Sequence, residues 1–263
     1  MIQVQDICFA IGKNQILDRV STYISSGEVL AICGPNGAGK STLLRMISGE
    51  GTPTTGQVFI KEKSLQEWSA GRLAKTRAVL HQESYLTFPF PVHEVVRLGR
   101  FPYNTVMLDD DIVQSCLKKV GMQDLAHRKY TTLSGGEKQR VHLARALAQL
   151  EEEGQKEKIL MLDEPTSALD LPHQEAALRI ATQYAKERNH CVIIVLHDLN
   201  LAAAWADRIL FLRKGKAYCE GTPEEVLTSD VIAEIYGLKT HILTHPDTKR
   251  PLVIIDRGSE QKN

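Results

Sequence analysis

The sequence predicts an α/β fold: a mainly parallel core sheet, with an N-terminal antiparallel β subdomain and an inserted α-helical subdomain. Three observations carry this expectation. Apolar runs at residues 29–33, 159–162 and 192–196 alternate with stretches of helical periodicity, as strands of a parallel sheet buried on both faces do. Residues 1–30 alternate apolar with polar instead, the pattern of antiparallel strands. Residues 83 to 150 carry helical periodicity and no convincing strand.

Taken in order, residues 1–30 have turn chemistry at Gly12-Lys13-Asn14 and Ser25-Ser26-Gly27. Residues 42–48 follow the first core strand as a helix. Residues 57–61, after Thr54-Thr55-Gly56, read as a strand, and 78–80 as a short buried strand ending at His81-Gln82. The insertion holds three helical stretches, 92–98, 110–120 and 136–150. The charge run 151–158 is expected to be a solvated loop. Strand 159–162, helix 173–188 and strand 192–196 resume the sheet, and 209–212 leads into Gly215. Residues 240–255 alternate and are expected to form a strand pair. The domain division is 1–240, containing the helical subdomain 83–150, and a short C-terminal strand extension, 241–263.

Composition narrows the function classes. Lys and Arg number 32 and so do Asp and Glu, so no global basic field draws the chain to nucleic acid. Five scattered cysteines form no CxxC pair, which fits a reducing compartment. The N-terminus lacks a basic region and an apolar signal core, and the longest apolar runs are too short to span a bilayer. The expectation is a chain soluble by itself, reaching a membrane only through a partner.

Gly34-Pro35-Asn36-Gly37-Ala38-Gly39-Lys40-Ser41 lies between an apolar strand and a helix, the setting a phosphate loop requires. Its glycines let backbone N–H groups converge on phosphate oxygens, and the helix N-terminus adds partial positive charge. Lys40 is expected to reach the β- and γ-phosphates and Ser41 to sit on Mg²⁺. The strand at 159–162 ends in Asp163-Glu164, at the edge where such sheets open onto ligand. Asp163 is placed to hold Mg²⁺ and Glu164 to polarise an attacking water, although Asp-Glu-Pro alone would read as a helix cap. Ser134-Gly135-Gly136-Glu137 starts a second helix whose N–H groups call for an anion. One chain cannot easily aim both helix ends at one triphosphate, so a second copy is expected, head to tail.

These motifs, in this order, resemble the ATP-binding subunits of ABC transporters, over roughly residues 1 to 240. The resemblance implies the ABC ATPase type of P-loop fold, with Gly34 to Ser41 as Walker A and Thr42 extending its contacts. It assigns Asp163 and Glu164 to Walker B, and Gln82 to the glutamine that touches Mg²⁺ and the attacking water. Ser134, Gly135 and Gly136 correspond to the signature that meets ATP in trans, and Ser167 to Asp170 to the loop across the dimer. His197 corresponds to the histidine that orients the γ-phosphate. Where the family usually stacks an aromatic on adenine, immediately before Gly12, this chain has Ile11, so apolar contact remains without π-stacking. Phe9 is expected in the strand core and not as a substitute.

Phe88 to Arg100, His197 to Ala202 and Gly221 to Leu227 resemble importers of haemin, ferric siderophores and cobalamin. The 151–158 insert and the ending His245-Pro246-Asp247, then Pro251-Leu252-Val253, are similar to the haemin branch. The implied function is an ATPase powering haemin import, with a ferric siderophore or cobalamin as alternative cargo. The implied partners are a second copy, two integral-membrane permease subunits and, indirectly, a periplasmic or surface substrate-binding protein. The implied place is the cytoplasmic face of the inner membrane. Its nine histidines form no evident ligand cluster, and His241 and His245 are expected in loops. Tyr85, Phe88, Phe90, Phe101 and Tyr103 read either as subdomain packing or as a groove for a permease helix. A soluble ABC ATPase that remodels a protein complex is the rival class; the chain has no sustained heptads and one cassette only.

Overall fold

Alternation along the first residues folds into a long hairpin. β1 (Ile2–Ile11) pairs antiparallel with β2 (Asn14–Ile24) across a turn at which Gly12 takes φ +61°. The computed structural model describes residues 1–82, 86–103, 109–152 and 157–256. β3 (Val29–Cys33), buried at every residue, leads through the glycine-rich loop into α1 (Lys40–Ser48). β4 (Thr55–Ile60) returns to pair with β1, β5 (Lys63–Ser64) pairs with β4, and these strands form a sheet in the order β2-β1-β4-β5. α2 (Ala70–Thr76) delivers β6 (Arg77–Leu80). The helical segment contributes α3 (Val92–Arg97), α4 (Asp109–Lys119) and α5 (Gly135–Leu150).

β7 (Ile159–Asp163), α6 (Leu171–Arg188), β8 (Cys191–Val195), α7 (Leu199–Trp205) and β9 (Arg208–Arg213) then alternate strand with helix. β10 (Lys216–Gly221) turns back antiparallel, and α8 (Pro223–Val226) and α9 (Ser229–Tyr236) lead to a two-stranded ribbon, β11 (Thr240–Thr244) and β12 (Pro251–Ile255). The core sheet runs β10-β9-β3-β8-β7-β6, parallel throughout apart from β10.

The apolar runs are continuous because both faces of this sheet are covered. Leu30, Ile32, Met161, Ile193 and Leu210 pack against α1 and the N-terminal sheet. Their neighbours Ala31, Leu160, Leu162, Ile194 and Phe211 pack on the opposite side with residues of α3, α5 and α6. Register levels the strand ends: Ile32 pairs with Val195 and Val195 with Asp163, so β3, β8 and β7 finish side by side.

Buried polar contacts tie the helical segment together. Arg100, 5% exposed at its side chain, donates to Asp109 Oδ1 at 2.9 Å, Ala148 O at 2.7 Å and Glu151 O at 2.5 Å. Removing one partner of such a pair leaves an uncompensated charge, at a cost of about 3–5 kcal/mol. The charge run differs from the solvated loop expected of it, since both its described ends are anchored. Glu151 accepts from Lys119 at 2.7 Å and Arg188 at 2.6 Å, and buried Lys158 donates to Lys75 O and Glu152. Long charged side chains reach partners on flanking elements there; residues 153–156 lie outside the described residues. His241 also departs from expectation, sitting within β11 opposite Ile254.

His190, buried before β8, accepts the Lys158 amide at Nδ1 (3.1 Å). Burial, with the charges of Arg188 and Lys158, pushes this imidazole down from 6.5 to about 4. The unfolded chain therefore takes up this proton first as the pH falls. The contribution of neutral His190 is complete above pH 6.5 and fades as the pH drops towards 4. Denaturant unfolding is expected to lose about 2 kcal/mol from this group between pH 7.5 and pH 5. His190→Gln, whose carbonyl can still accept the amide, is expected to flatten that dependence. An unchanged pH slope in the variant contradicts the assignment.

Candidate functional site

The level ends of β3, β7 and β8 set three segments around one cavity of about 470 Å³. It is lined by Asn36 to Thr42, Gln82, Glu164 and His197. The loop is shaped by glycine where no other residue fits. Gly34 has φ +145°, and a Cβ on it would lie 2.2 Å from the Leu212 carbonyl oxygen. Gly37 and Gly39 also take positive φ, which turns the loop into a concave run of N–H groups above α1. Lys40 lies beneath it, 5% exposed, with Nζ donating to Gly34 O at 2.9 Å and Pro35 O at 3.1 Å. Burial pulls its ammonium down, and the carboxylate of Glu164 counters that pull.

The acids arrive from the end of β7. Ser41 Oγ donates to Asp163 Oδ1 at 3.0 Å, and burial raises the Asp163 carboxyl above its ordinary value. A hydroxyl beside a buried carboxylate is a hard-oxygen donor pair of the kind Mg²⁺ takes. Glu164 follows with φ +51°, a left-handed conformation uncommon outside glycine. Four hydrogen bonds hold it there: its N donates to Val195 O, and its carbonyl accepts from Gln139 Nε2 at 3.1 Å, Ser167 Oγ at 3.1 Å and Ser167 N at 3.3 Å. Its carboxylate accepts from Gln82 Nε2 at 2.7 Å and meets His197 Nε2 on the other oxygen. Gln82 thus bridges from the end of β6, and His81 beside it pairs with Glu50 after α1 at 3.3 Å. That hydrogen bond to Glu50 raises the His81 imidazole.

Ser134, Gly135 and Gly136 do not join this cavity. They open a second one of about 380 Å³ with Glu137, Arg140, Ala168, Leu169, Asp170 and His173. Ser134 caps α5 in a reciprocal box with Glu137, and Asp170 caps α6. Among the described residues, none lines both cavities. Ile11 stands 65% exposed at the tip of the β1–β2 hairpin, whereas Phe9 packs against the core. Phe88, Phe90 and Phe101 are exposed, and Tyr103 packs under Arg100 at 4.0 Å; Tyr85 lies outside the described residues. No group of three His, Cys, Asp or Glu residues is placed to hold a metal ion, among the described residues.

Sequence reasoning missed Gln139, Arg140 and His173. A signal existed for the last two, because they follow Gly136 by four residues and Asp170 by three, one helical turn each. Gln139 reaches a distant backbone carbonyl, a contact with no sequence period.

Residues 17–167 match the family model described as ABC transporter. The chain is 44% identical over 256 residues to the Hemin import ATP-binding protein HmuV of Escherichia coli O157:H7, covering 97% of this chain and 100% of that protein. It is 45% identical over 253 residues to the protein of that name from Vibrio cholerae serotype O1, covering 96% and 97%. Among solved structures, one described as a metal-chelate type ABC transporter in an inward-facing conformation aligns with TM-score 0.81 and 25% identity, covering 97% of this chain and 96% of that one. A dimeric post-hydrolysis ATP-binding cassette bound to ADP and Pi aligns with TM-score 0.74 and 28% identity, covering 84% and 98%.

The loop geometry separates two glycine substitutions. Gly34→Ala combines a positive φ with a carbonyl 2.2 Å from the new methyl, whereas Gly37→Ala has φ +76° and nothing within 4 Å. Gly34→Ala is expected to cost about 3 kcal/mol or more and Gly37→Ala about 1 kcal/mol, read from urea unfolding midpoints. Equal losses contradict the close approach at Gly34.

Proposed function

Because the chain belongs to the ABC transporter family, we propose that it is the ATP-hydrolysing subunit that powers haemin import through a membrane permease. One observation supports the chemistry above all: Gln82 and His197 converge on the two carboxylate oxygens of Glu164 at the rim of the glycine-rich loop. The cargo rests on the near full-length likeness to hemin import proteins.

In this reading the N–H groups of residues 34–41 and Lys40 Nζ bind the β- and γ-phosphates of ATP, Thr42 extends the hydroxyl contacts, and Ile11 lies against the base. Ser41, Asp163 and Gln82 would hold Mg²⁺, which when bound neutralises charge on the phosphate oxygens. Glu164 takes the proton as the attacking water bonds to the γ-phosphorus and the bond to the β–γ bridging oxygen breaks. Gln82 orients that water, and His197 orients the γ-phosphate. Ser134, Gly135 and Gly136, with Asp170 beside them, complete the site from a second copy, supplying the helix end that its own loop cannot reach. Positioning and preorganised charge carry most of the rate.

Two copies then work on two integral-membrane permease subunits, with a periplasmic or surface substrate-binding protein upstream. The exposed rings of Phe88, Phe90 and Phe101 fit a groove for a permease helix. No helix among the described residues is long and apolar enough to cross a membrane. In this reading the subunit sits peripherally on the cytoplasmic face, bound to its permease.

Glu164→Gln is expected to lower ATP turnover by at least about 100-fold while ATP binding persists, and to elute as an ATP-dependent dimer. Hydrolysis at the parental rate removes Glu164 from this role. In proteoliposomes with its permease, haemin delivered by the binding protein is expected to stimulate ATPase, and ferric siderophore or cobalamin is not. Stimulation by either of those instead reassigns the cargo.

A further inference from the structure

α7 is seven residues long and starts two positions after His197, so it carries the backbone from which that imidazole projects. A helix this short is marginal by itself. Asp198 caps its start, accepting at Oδ1 from Asn200 N at 2.7 Å and Leu201 N at 3.2 Å. The rest of its polar support comes from the C-terminal ribbon. The Asn200 amide exchanges two hydrogen bonds with Val253: Nδ2 donates to Val253 O at 3.2 Å, and Val253 N donates to Oδ1 at 2.7 Å. At the far end, Arg250 Nη1 donates to Ala203 O at 2.7 Å and Ala206 O at 2.6 Å, carbonyls that the helix end leaves unpaired.

The turn that delivers Arg250 is built by the His245-Pro246-Asp247 ending, for which the proposed chemistry has no use. His245 Nδ1 accepts from Asp247 N at 3.2 Å and Thr248 N at 3.3 Å, and His245 N donates to Arg250 O at 2.9 Å. Val253 packs against the core, whereas Leu243, Ile254 and Ile255 are 54%, 42% and 52% exposed. Thr240 O accepts from Ser229 Oγ of α9 at 2.8 Å, and the contacts of Val253 and Arg250 go to the two ends of α7.

We propose that the C-terminal ribbon is a positioning clamp for ATP hydrolysis, in which Arg250 and Asn200 grip α7 so that His197 stays on the Glu164 carboxylate. This rests on the role given to His197 above. Arg250 and Asn200 touch no reacting atom; they act through the helix.

The test is a double-mutant cycle in the full-length protein, reading kcat and KM for ATP. Arg250→Ala is expected to lower kcat about tenfold, less than the roughly 100-fold that a 1 Å misplacement can cost, because Asn200 still holds the other end of α7. KM is expected to stay within about twofold, because the loop that binds phosphate is untouched. Arg250→Lys, which can still donate to a carbonyl, is expected to recover most of the rate. In a His197→Ala background, Arg250→Ala is expected to add no further loss. Asn200→Ala, acting at the other end of α7, is expected to repeat the pattern and serves if Arg250→Ala does not fold. Parental kcat in both variants, or losses that multiply with His197→Ala, overturn the clamp. Parental kcat in His197→Ala itself overturns the role of His197, and the clamp falls with it.

Discussion

The arrangement depends on the register of three parallel strands. β3 ends in the glycine-rich loop, β7 in Asp163 and Glu164, and β8 leads to His197, and pairing through Val195 keeps the three ends level. Alternate residues of these strands pack into two different clusters, so a one-residue slip would exchange side chains fitted to each, and packing that stabilises the fold also fixes the chemistry. The Ser41–Asp163 hydrogen bond and the Lys40 ammonium between the loop and Glu164 follow from that alignment. Glu164 is the cavity-lining non-glycine residue with a left-handed backbone, and contacts from β8, α5 and Ser167 hold it.

What the sheet does not align is equally informative. The Ser134 end of α5 faces a cavity of its own, sharing no described lining residue with the loop cavity. Each chain thus carries two complementary half-sites, one rich in inward N–H groups above a lysine, the other a serine-capped helix end flanked by Arg140 and His173. In the proposed arrangement, two copies placed head to tail satisfy both halves twice. Under that proposal nucleotide would be part of the interface, and its hydrolysis would release the closed pair. Contacts to Glu164 arrive from the Gln82 segment and the His197 segment, so the carboxylate reports on both.

Much of this was legible in the sequence because it is periodic or locally encoded. Alternation marked the β1–β2 hairpin, continuous apolar runs marked β3, β7 and β8, and the serine three residues before Glu137 marked the start of α5. The glycine-rich loop was marked by its spacing together with the apolar run before it and the helical stretch after it. Illegible were contacts in which a side chain reaches a remote carbonyl: Gln139 to Glu164, Arg100 to Ala148 and Arg250 to Ala206. Such contacts depend on tertiary placement and leave no repeat. Reading the 151–158 run as solvated failed for the same reason, since Lys119 and Arg188 meet Glu151 from α4 and α6.

In the proposed dimer each triphosphate is held by two chains at once. A crystal or cryo-microscopy structure of the Glu164→Gln protein with Mg·ATP measures it directly. Two nucleotides per pair are expected, with Ser134 Oγ of one copy within hydrogen-bond distance of a γ-phosphate oxygen bound by Lys40 of the other. Nucleotide bound at Lys40 while every Ser134 remains far from phosphate contradicts it.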